Sequence, residues 1–470
     1  MEECLSVFTC DNSEELENKY QNIICQDDRL SRKNVSFQAN KNKPFYRWFS
    51  YKEGFSSELT SMLIAEYPNK EGIILDPFAG SGTTLFSASE EGFHSVGFEL
   101  LPIGEFVFNS RKAAEKCDPR QLREAISKIK RINFKEYPSD KSINIPEIPI
   151  TKGAYPPDTK ININGYLSYL KSQDYNPEIY QILKFACFCI LEKISFTRKD
   201  GQYLRWDKRS GRSRTTFHKG KIFTFEEALY EQLDRILEDI LKYEFLGIKR
   251  SQENSPSSMK TGSCFELIQN CKDESVDLII TSPPYCNRYD YTRTYALELT
   301  FLGIDDERIK NLRQQLLSCT VENKEKYDYF NKIYADNYGQ NLLINAENSF
   351  NSCLPLQEIL KILEKLKNEK KLNNNGIYRM IKNYFFEHSI LISEFARILK
   401  PGGRIYYVND NVRYAGVIIP VDLILSEFAE AAGLKVKEIR KLQRGKGNSS
   451  QQMGNYGREE IRKCVYYWEK

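Results

Sequence analysis

The sequence predicts an α/β fold with a mostly parallel sheet, interrupted by two insertions, and three observations predict it. The apolar run Ile73-Ile74-Leu75 enters a glycine-rich turn, "DPFAGSGTT", a helical stretch follows from Leu85, and a second strand lies around Ser95 to Phe98. That β-turn-α-β pattern is the mark of parallel pairing. A second run, "SVDLII", reads as a buried strand and is stopped by Pro283-Pro284, because proline lacks the N–H that a ladder needs. From about Tyr384 almost to the C-terminus, helical and strand patterns alternate again.

Taken along the chain, residues 1–42 read as an N-terminal extension and 43–117 as the first part of the core. Residues 118–258, roughly 140 in number, exceed any ordinary connection and are expected to form a subdomain. The core resumes over 259–304, a second insertion occupies 305–379, and the third core part covers 380–470. In the second insertion the lysine-rich "LQEILKILEKLKNEKKLNNNG" reads first as a solvated helix face. In the third core part, "FFEHSILISEFARILKPGG" predicts an amphipathic helix closed by Pro401-Gly402-Gly403. A strand "RIYYVND", a helix "VDLILSEFAEAAGL" and two strands in "KVKEI" and "RKCVYYWEK" complete it.

Composition narrows the class. With 470 residues, 41% hydrophobic and 28% charged, the chain can bury a full core, and a net charge of +4 marks no extreme. The start is acidic where a secretion signal would be basic then apolar, and the most apolar stretch, Phe185 to Leu191, is too short to span a bilayer. Twelve cysteines accompany only three histidines, with no C-x-x-C pair, so neither a metal site nor a disulfide framework is expected. These features lead to the expectation of a cytoplasmic protein with reduced, mostly packed thiols and no membrane partner.

The glycine turn carries the first chemistry. It lacks the Gly-Lys-Ser/Thr ending of a phosphate loop and is not G-x-G-x-x-G; it offers Gly80-x-Gly82 with Asp76 at the strand end. Glycines let a ligand approach the backbone, and a carboxylate suits an amine-bearing ligand better than a pyrophosphate. Glu99 follows Gly82 by seventeen positions, where dinucleotide-type folds place an acid that binds ribose hydroxyls. The two acids suggest an adenosine with a charged tail. Alone, the turn has a structural strand-to-helix connection as its lesser alternative.

Together, "DPFAGSGTT", "TSPPY" and "LKPGG" resemble the S-adenosylmethionine-dependent DNA amino-methyltransferases, over roughly residues 43 to 117, 260 to 303 and 380 to 470. The resemblance implies a class I Rossmann-like methyltransferase fold. It implies that Asp76, Pro77 and the loop Phe78, Ala79, Gly80, Ser81, Gly82, Thr83 and Thr84 hold S-adenosylmethionine, with Glu99 on the ribose. The upstream "YKEGFSSEL" resembles a helix-start motif whose Phe55 touches the cofactor, although Gly54 stands where relatives often carry lysine.

It also gives the two prolines a purpose. An exocyclic amine is a poor nucleophile because its lone pair is delocalised into the ring, so acceptors must localise that pair. Ser282 Oγ and the Pro283 carbonyl are the expected acceptors, Pro284 stiffens the turn, and Tyr285 offers a stacking face for a flipped base. In the family, serine at position 282 is commonly associated with cytosine N4, aspartate or asparagine with adenine N6. The motif order, glycine turn first, resembles arrangements better known among adenine enzymes. Cytosine N4 is the expected target, with adenine N6 as the alternative. An RNA amino-methyltransferase and a catalytically silent DNA-binding protein stay open as further readings.

For double-stranded DNA the sequence offers "RKDGQYLRWDKRSGRSRTTFHKGK", Arg198 to Lys221, with nine lysines and arginines against two aspartates. Arg198, Lys199, Arg205, Lys208, Arg209, Arg212 and Arg214 are expected to meet phosphates, and Tyr203 and Trp206 to stack. A plain solvated loop is the bland alternative. The larger insertion is therefore the expected target-recognition subdomain, and a restriction-modification role implies a cognate endonuclease as partner.

Overall fold

The computed structural model describes residues 11–143, 145–200, 203–212, 216–245, 256–443, 446–447 and 460–470. Its centre is a sheet of eight strands: β1 (Ile24–Gln26), β2 (Ile73–Asp76), β3 (His94–Glu99), β4 (Ser257–Thr261), β5 (Val276–Thr281), β6 (Leu399–Asp410), β7 (Lys435–Lys441) and β8 (Lys463–Glu469). They lie in the order β1-β7-β8-β6-β5-β2-β3-β4, and every neighbouring pair is parallel except those of β8. Strand β5 is buried along its whole length, as a central strand covered on both faces must be.

The two faces have separate cores. On one, Leu75, Ile279, Ile405 and Tyr407 pack with the helices Ile377–Ile398 and Val421–Ala431 and with the second insertion. On the other, Ile74, Leu278, Ile280 and Tyr406 pack with the helix Ser57–Ala65. Alternate residues of one strand thus serve opposite layers.

Two elements differ from expectation. The amphipathic helix ends at Ile398, and Pro401-Gly402-Gly403 does not close it but lies in β6. There Val276 pairs with Leu399 and Leu278 with Arg404, so the extra residues bulge and Gly402 takes φ +76. The N-terminal residues are not set apart from the core either: β1 extends the sheet beside β7, and the helix Asp11–Tyr20 contributes Leu16 and Tyr20 to the first core.

In the first insertion the helices Pro119–Ile129, Pro157–Ser172 and Pro177–Ile190 each begin with proline, whose missing N–H costs nothing in a first turn. Asp118 and Asn176 cap two of them through the N–H groups of Arg120 and Ile179. A fourth helix, Phe225–Phe245, carries the buried Asp239, which accepts from Phe45 N–H, Trp48 Nε1 and the Arg47 guanidinium. One carboxylate therefore ties this segment to the chain between β1 and β2. The second insertion is helical as well, and in Leu354–Asn368 the buried Leu356, Ile359, Leu363 and Leu366 leave Lys361 and Lys365 on the solvent side.

The hairpin Thr197–Asp200/Tyr203–Trp206 is fastened from beneath by an ion pair of 2.5 Å between Lys199 and Glu298, whose side chains are only 3% and 1% exposed. Lys199→Met would strand the Glu298 carboxylate in the interior and should cost roughly 3–5 kcal/mol. Lys199→Met/Glu298→Leu should recover much of that loss, and urea unfolding of both variants is the check.

Candidate active site

Sheet order reverses at β2, which has β3 and β4 on one side and β5 on the other. Open α/β sheets bind ligands outside the carboxyl ends of the strands at such a point. A cleft, part of it open to solvent, lies there, lined from the ends of β2, β3 and β5.

Asp76, at the end of β2, is 1% exposed and holds the cleft's floor together. Its Oδ1 accepts from Thr281 Oγ1 at 2.8 Å and from Phe78 N–H at 3.1 Å, and its Oδ2 from Thr84 Oγ1 at 2.6 Å. The carboxylate expected to meet a ligand amine thus serves the loop itself, although Asp76 still lines the cleft. Glu99, at the end of β3, accepts Gly80 N–H through Oε2 and Leu101 N–H through Oε1, each at 2.9 Å. Each oxygen keeps a second lone pair for a ligand hydroxyl.

Gly80 adopts φ +54, and a Cβ there would lie 2.9 Å from the Tyr51 ring. Close packing also explains Gly104, where a Cβ would collide with the Gly80 carbonyl oxygen and the Glu99 side chain. Phe55, Pro77, Phe78, Ala79, Ser81 and Thr83 join these residues in the wall. Gly82 and Thr84 stand behind it, the first opening the helix Thr83–Glu90 with φ +81, the second bonded to Asp76.

From β5 the chain leads directly to "SPPY". Ser282 and Pro284 line the cleft, whereas Pro283 and Tyr285 do not. The Ser282 hydroxyl donates to Tyr285 Oη at 2.9 Å, so its lone pairs are left for another donor. Tyr285 is 6% exposed, and the Lys463 ammonium sits 5.0 Å from its ring centroid. The expected open stacking face is therefore corrected: the ring is enclosed because β6 ends and β8 begins beside it, and its hydroxyl accepts from Ser282.

Several wall residues were missed. Tyr51 and Glu53 lie in the quoted "YKEGFSSEL" just ahead of Phe55, and Gly262, Ser263 and Cys264 follow β4, a strand-Gly-helix signal that was there to find. Tyr291 closes the SPPY side. Gln315, Leu316 and Leu317 come from the second insertion, and no local pattern distinguishes them.

The basic hairpin adjoins this wall, since the strand Tyr203–Trp206 packs on the turn Tyr291–Thr294. Its period of two sorts the cations. Arg198 and Arg205 pair across the strands on the exposed side, over Phe217, and Tyr203 is 46% exposed there. Lys199 and Leu204 point inward, so Lys199 is corrected from a phosphate contact to a buried partner of Glu298. Arg209 is held by Asp207 in two bonds of 2.8 Å. Arg212 stacks 3.4 Å over Trp206 and donates to the carbonyls of Pro149 and Lys152. Lys208 is exposed, and Arg214 lies outside the described residues. Among the described residues there is no group of metal-ligating side chains and no helix long and apolar enough to cross a membrane.

Comparison with known proteins meets this geometry from another side. A family model described as DNA methylase matches residues 3–102. The chain is 47% identical over 466 residues to the Type II methyltransferase M.AvaI of Nostoc sp., covering 97% of this chain and 92% of that protein. M.AvaI of Anabaena variabilis matches to the same extent. The Type II methyltransferase M.BsoBI of Geobacillus stearothermophilus is 39% identical over 471 residues, covering 97% and 91%.

Burial raises the Asp76 carboxyl from 3.8 to about 6 and the Glu99 carboxyl from 4.5 to about 7, against the hydrogen bonds that favour ionisation. Both groups fit the fold better when protonated. Their contribution to stability is thus present below the ordinary carboxylate range and lost as pH rises through about 6 and about 7. Between about pH 5 and pH 8 the wild type should lose urea resistance relative to Glu99→Gln, which cannot ionise. A pH-independent difference would remove Glu99 from this effect.

Proposed function

The chain belongs to the Type II DNA methyltransferases of restriction-modification systems, and on that premise we propose that it methylates the N4 amine of a cytosine flipped from a specific duplex sequence. The observation that carries this reading is Ser282: it lines the cleft with its hydrogen committed to Tyr285, which leaves its oxygen as an acceptor. A hydroxyl acceptor, rather than a carboxylate or amide, is the choice the family associates with cytosine. Adenine N6 is the alternative.

The cleft fits S-adenosylmethionine, the cofactor its family generally uses. Its lining joins apolar side chains to the backbone of the glycine turn, Gly80 keeps the loop close to Tyr51, and Glu99 has lone pairs for ribose hydroxyls. Phe55, Pro77 to Ser81, Thr83 and Glu99 would hold it, and when bound it supplies an electrophilic methyl sulfonium. The chain's own part is acceptance and orientation. Ser282 Oγ and the Pro283 carbonyl take the two amine hydrogens, which localises the nitrogen lone pair. Consecutive prolines keep both acceptors still, so the amine is aligned before reaction. The larger insertion serves as target-recognition subdomain in this reading, with Arg198, Arg205 and Lys208 gripping the backbone beside the opened pair.

Nucleoside mass spectrometry on DNA from a methylation-deficient host expressing the protein tests the reading. N4-methylcytosine is expected; N6-methyladenine would overturn the base assignment, and RNA modification without any DNA product would overturn the substrate. Ser282→Ala should lower turnover on the order of 100-fold, as loss of a preorganised transition-state contact does, with cofactor binding retained. Arg198→Ala/Arg205→Ala should weaken DNA binding and reduce the slope of log affinity against log salt by about two. An unchanged slope would exclude the hairpin from the phosphate contacts.

A further inference from the structure

Behind the SPPY turn lies a charged pair that the mechanism above does not use. Lys463 opens β8 and Asp410 closes β6, directly opposite each other in the antiparallel register, with Nζ and Oδ1 3.0 Å apart. Both are largely withdrawn from water, at 15% and 7% exposure. The ammonium also lies 5.0 Å from the ring centroid of Tyr285, whose hydroxyl receives the Ser282 proton. Asp410 is itself anchored: its N–H donates to Asn409 Oδ1, and Asn409 Nδ2 donates to the Tyr384 hydroxyl.

We propose that Lys463 is a positioning residue for methyl transfer, its ammonium fixed by Asp410 against Tyr285 so that Tyr285 holds the Ser282 lone pairs toward the cleft. Topology is what makes this contact available. Parallel strands reach the cleft edge only with their last residues, whereas the antiparallel β8 starts there and delivers a side chain from its first. A desolvated cation against an aromatic face is attracted to the ring quadrupole and restricts how the ring can turn. Burial works against the charge on Lys463, yet Asp410 and Tyr285 outweigh it and hold the ammonium protonated. Removing that charge frees the phenol, and with it the direction of the Ser282 hydroxyl.

The inference rests on the proposed transfer to a DNA amine, and one assay separates the two. Labelled S-adenosylmethionine and substrate DNA are used to measure turnover, DNA KM and cofactor Kd for each variant. Lys463→Met should lower kcat on the order of 100-fold, as small misplacements at a reacting centre do, with DNA KM and cofactor Kd nearly unchanged. Lys463→Arg should restore much of it. In a Ser282→Ala background, Lys463→Met should cause no further loss, because the residue acts only through Ser282. Tyr285→Phe, which keeps the ring and removes the hydroxyl, should behave as Lys463→Met does and supplies the test should that variant fold poorly. Independent, multiplying losses with Ser282→Ala, or an effect confined to KM, would overturn the positioning role alone. A folded wild type that transfers no methyl to DNA would overturn the parent reading with it.

Discussion

A single buried carboxylate governs the geometry of the site. Asp76 joins the end of β2, the loop at Phe78, the helix start at Thr84 and the end of β5 at Thr281 through three short hydrogen bonds. Ser282 follows Thr281 immediately, so its position is set by the same anchor. Gly80 can then turn back toward Glu99, and the glycine turn and the Ser282 turn face one cleft. Burial makes the arrangement costly for an ionised group, and the threonine hydroxyls offset that cost only in part, as the raised Asp76 pKa records.

Around this anchor the cleft is completed by distant chain. The turn Tyr291–Thr294 carries Tyr291 to one wall and rests on the hairpin of the first insertion, while Gln315 to Leu317 arrive from the second. Segments inserted between β3 and β4 and between β5 and β6 have this consequence: they can build walls without disturbing the sheet. The final strand reverses direction and returns the chain to the same edge, where Lys463 meets Asp410 and Tyr285. The protein thus supports the Ser282–Tyr285 turn from behind with residues from near its C-terminal end.

The hairpin shows how much a parity of two can decide. Arg198 and Lys199 are neighbours in a basic run, and composition treats them alike. Side chains alternate across a strand, so Arg198 faces water and Lys199 faces Glu298, Tyr295 and Phe49. Arg209 and Arg212 are exposed in part but already bound, one to a carboxylate and the other to carbonyls and an indole. The charge available to a phosphate is accordingly smaller than the sequence total.

What the sequence determined by itself is local: most strands and helices of the core, though not β1 or β4, the glycine turn with Asp76, Glu99 at a strand end, and the rigid Ser282-Pro283-Pro284-Tyr285 turn. Each follows from periodicity or from backbone chemistry within a dozen or so residues, so each can be read without a fold. Only the tertiary structure decided that Asp76 serves the loop rather than an open ligand face, that Tyr285 is enclosed, that Lys199 is interior, and that Lys463 stands against Tyr285. Those outcomes depend on strand order, register and the return of the antiparallel strand, which bring together residues from 99 to 205 positions apart, and no local pattern encodes such a meeting.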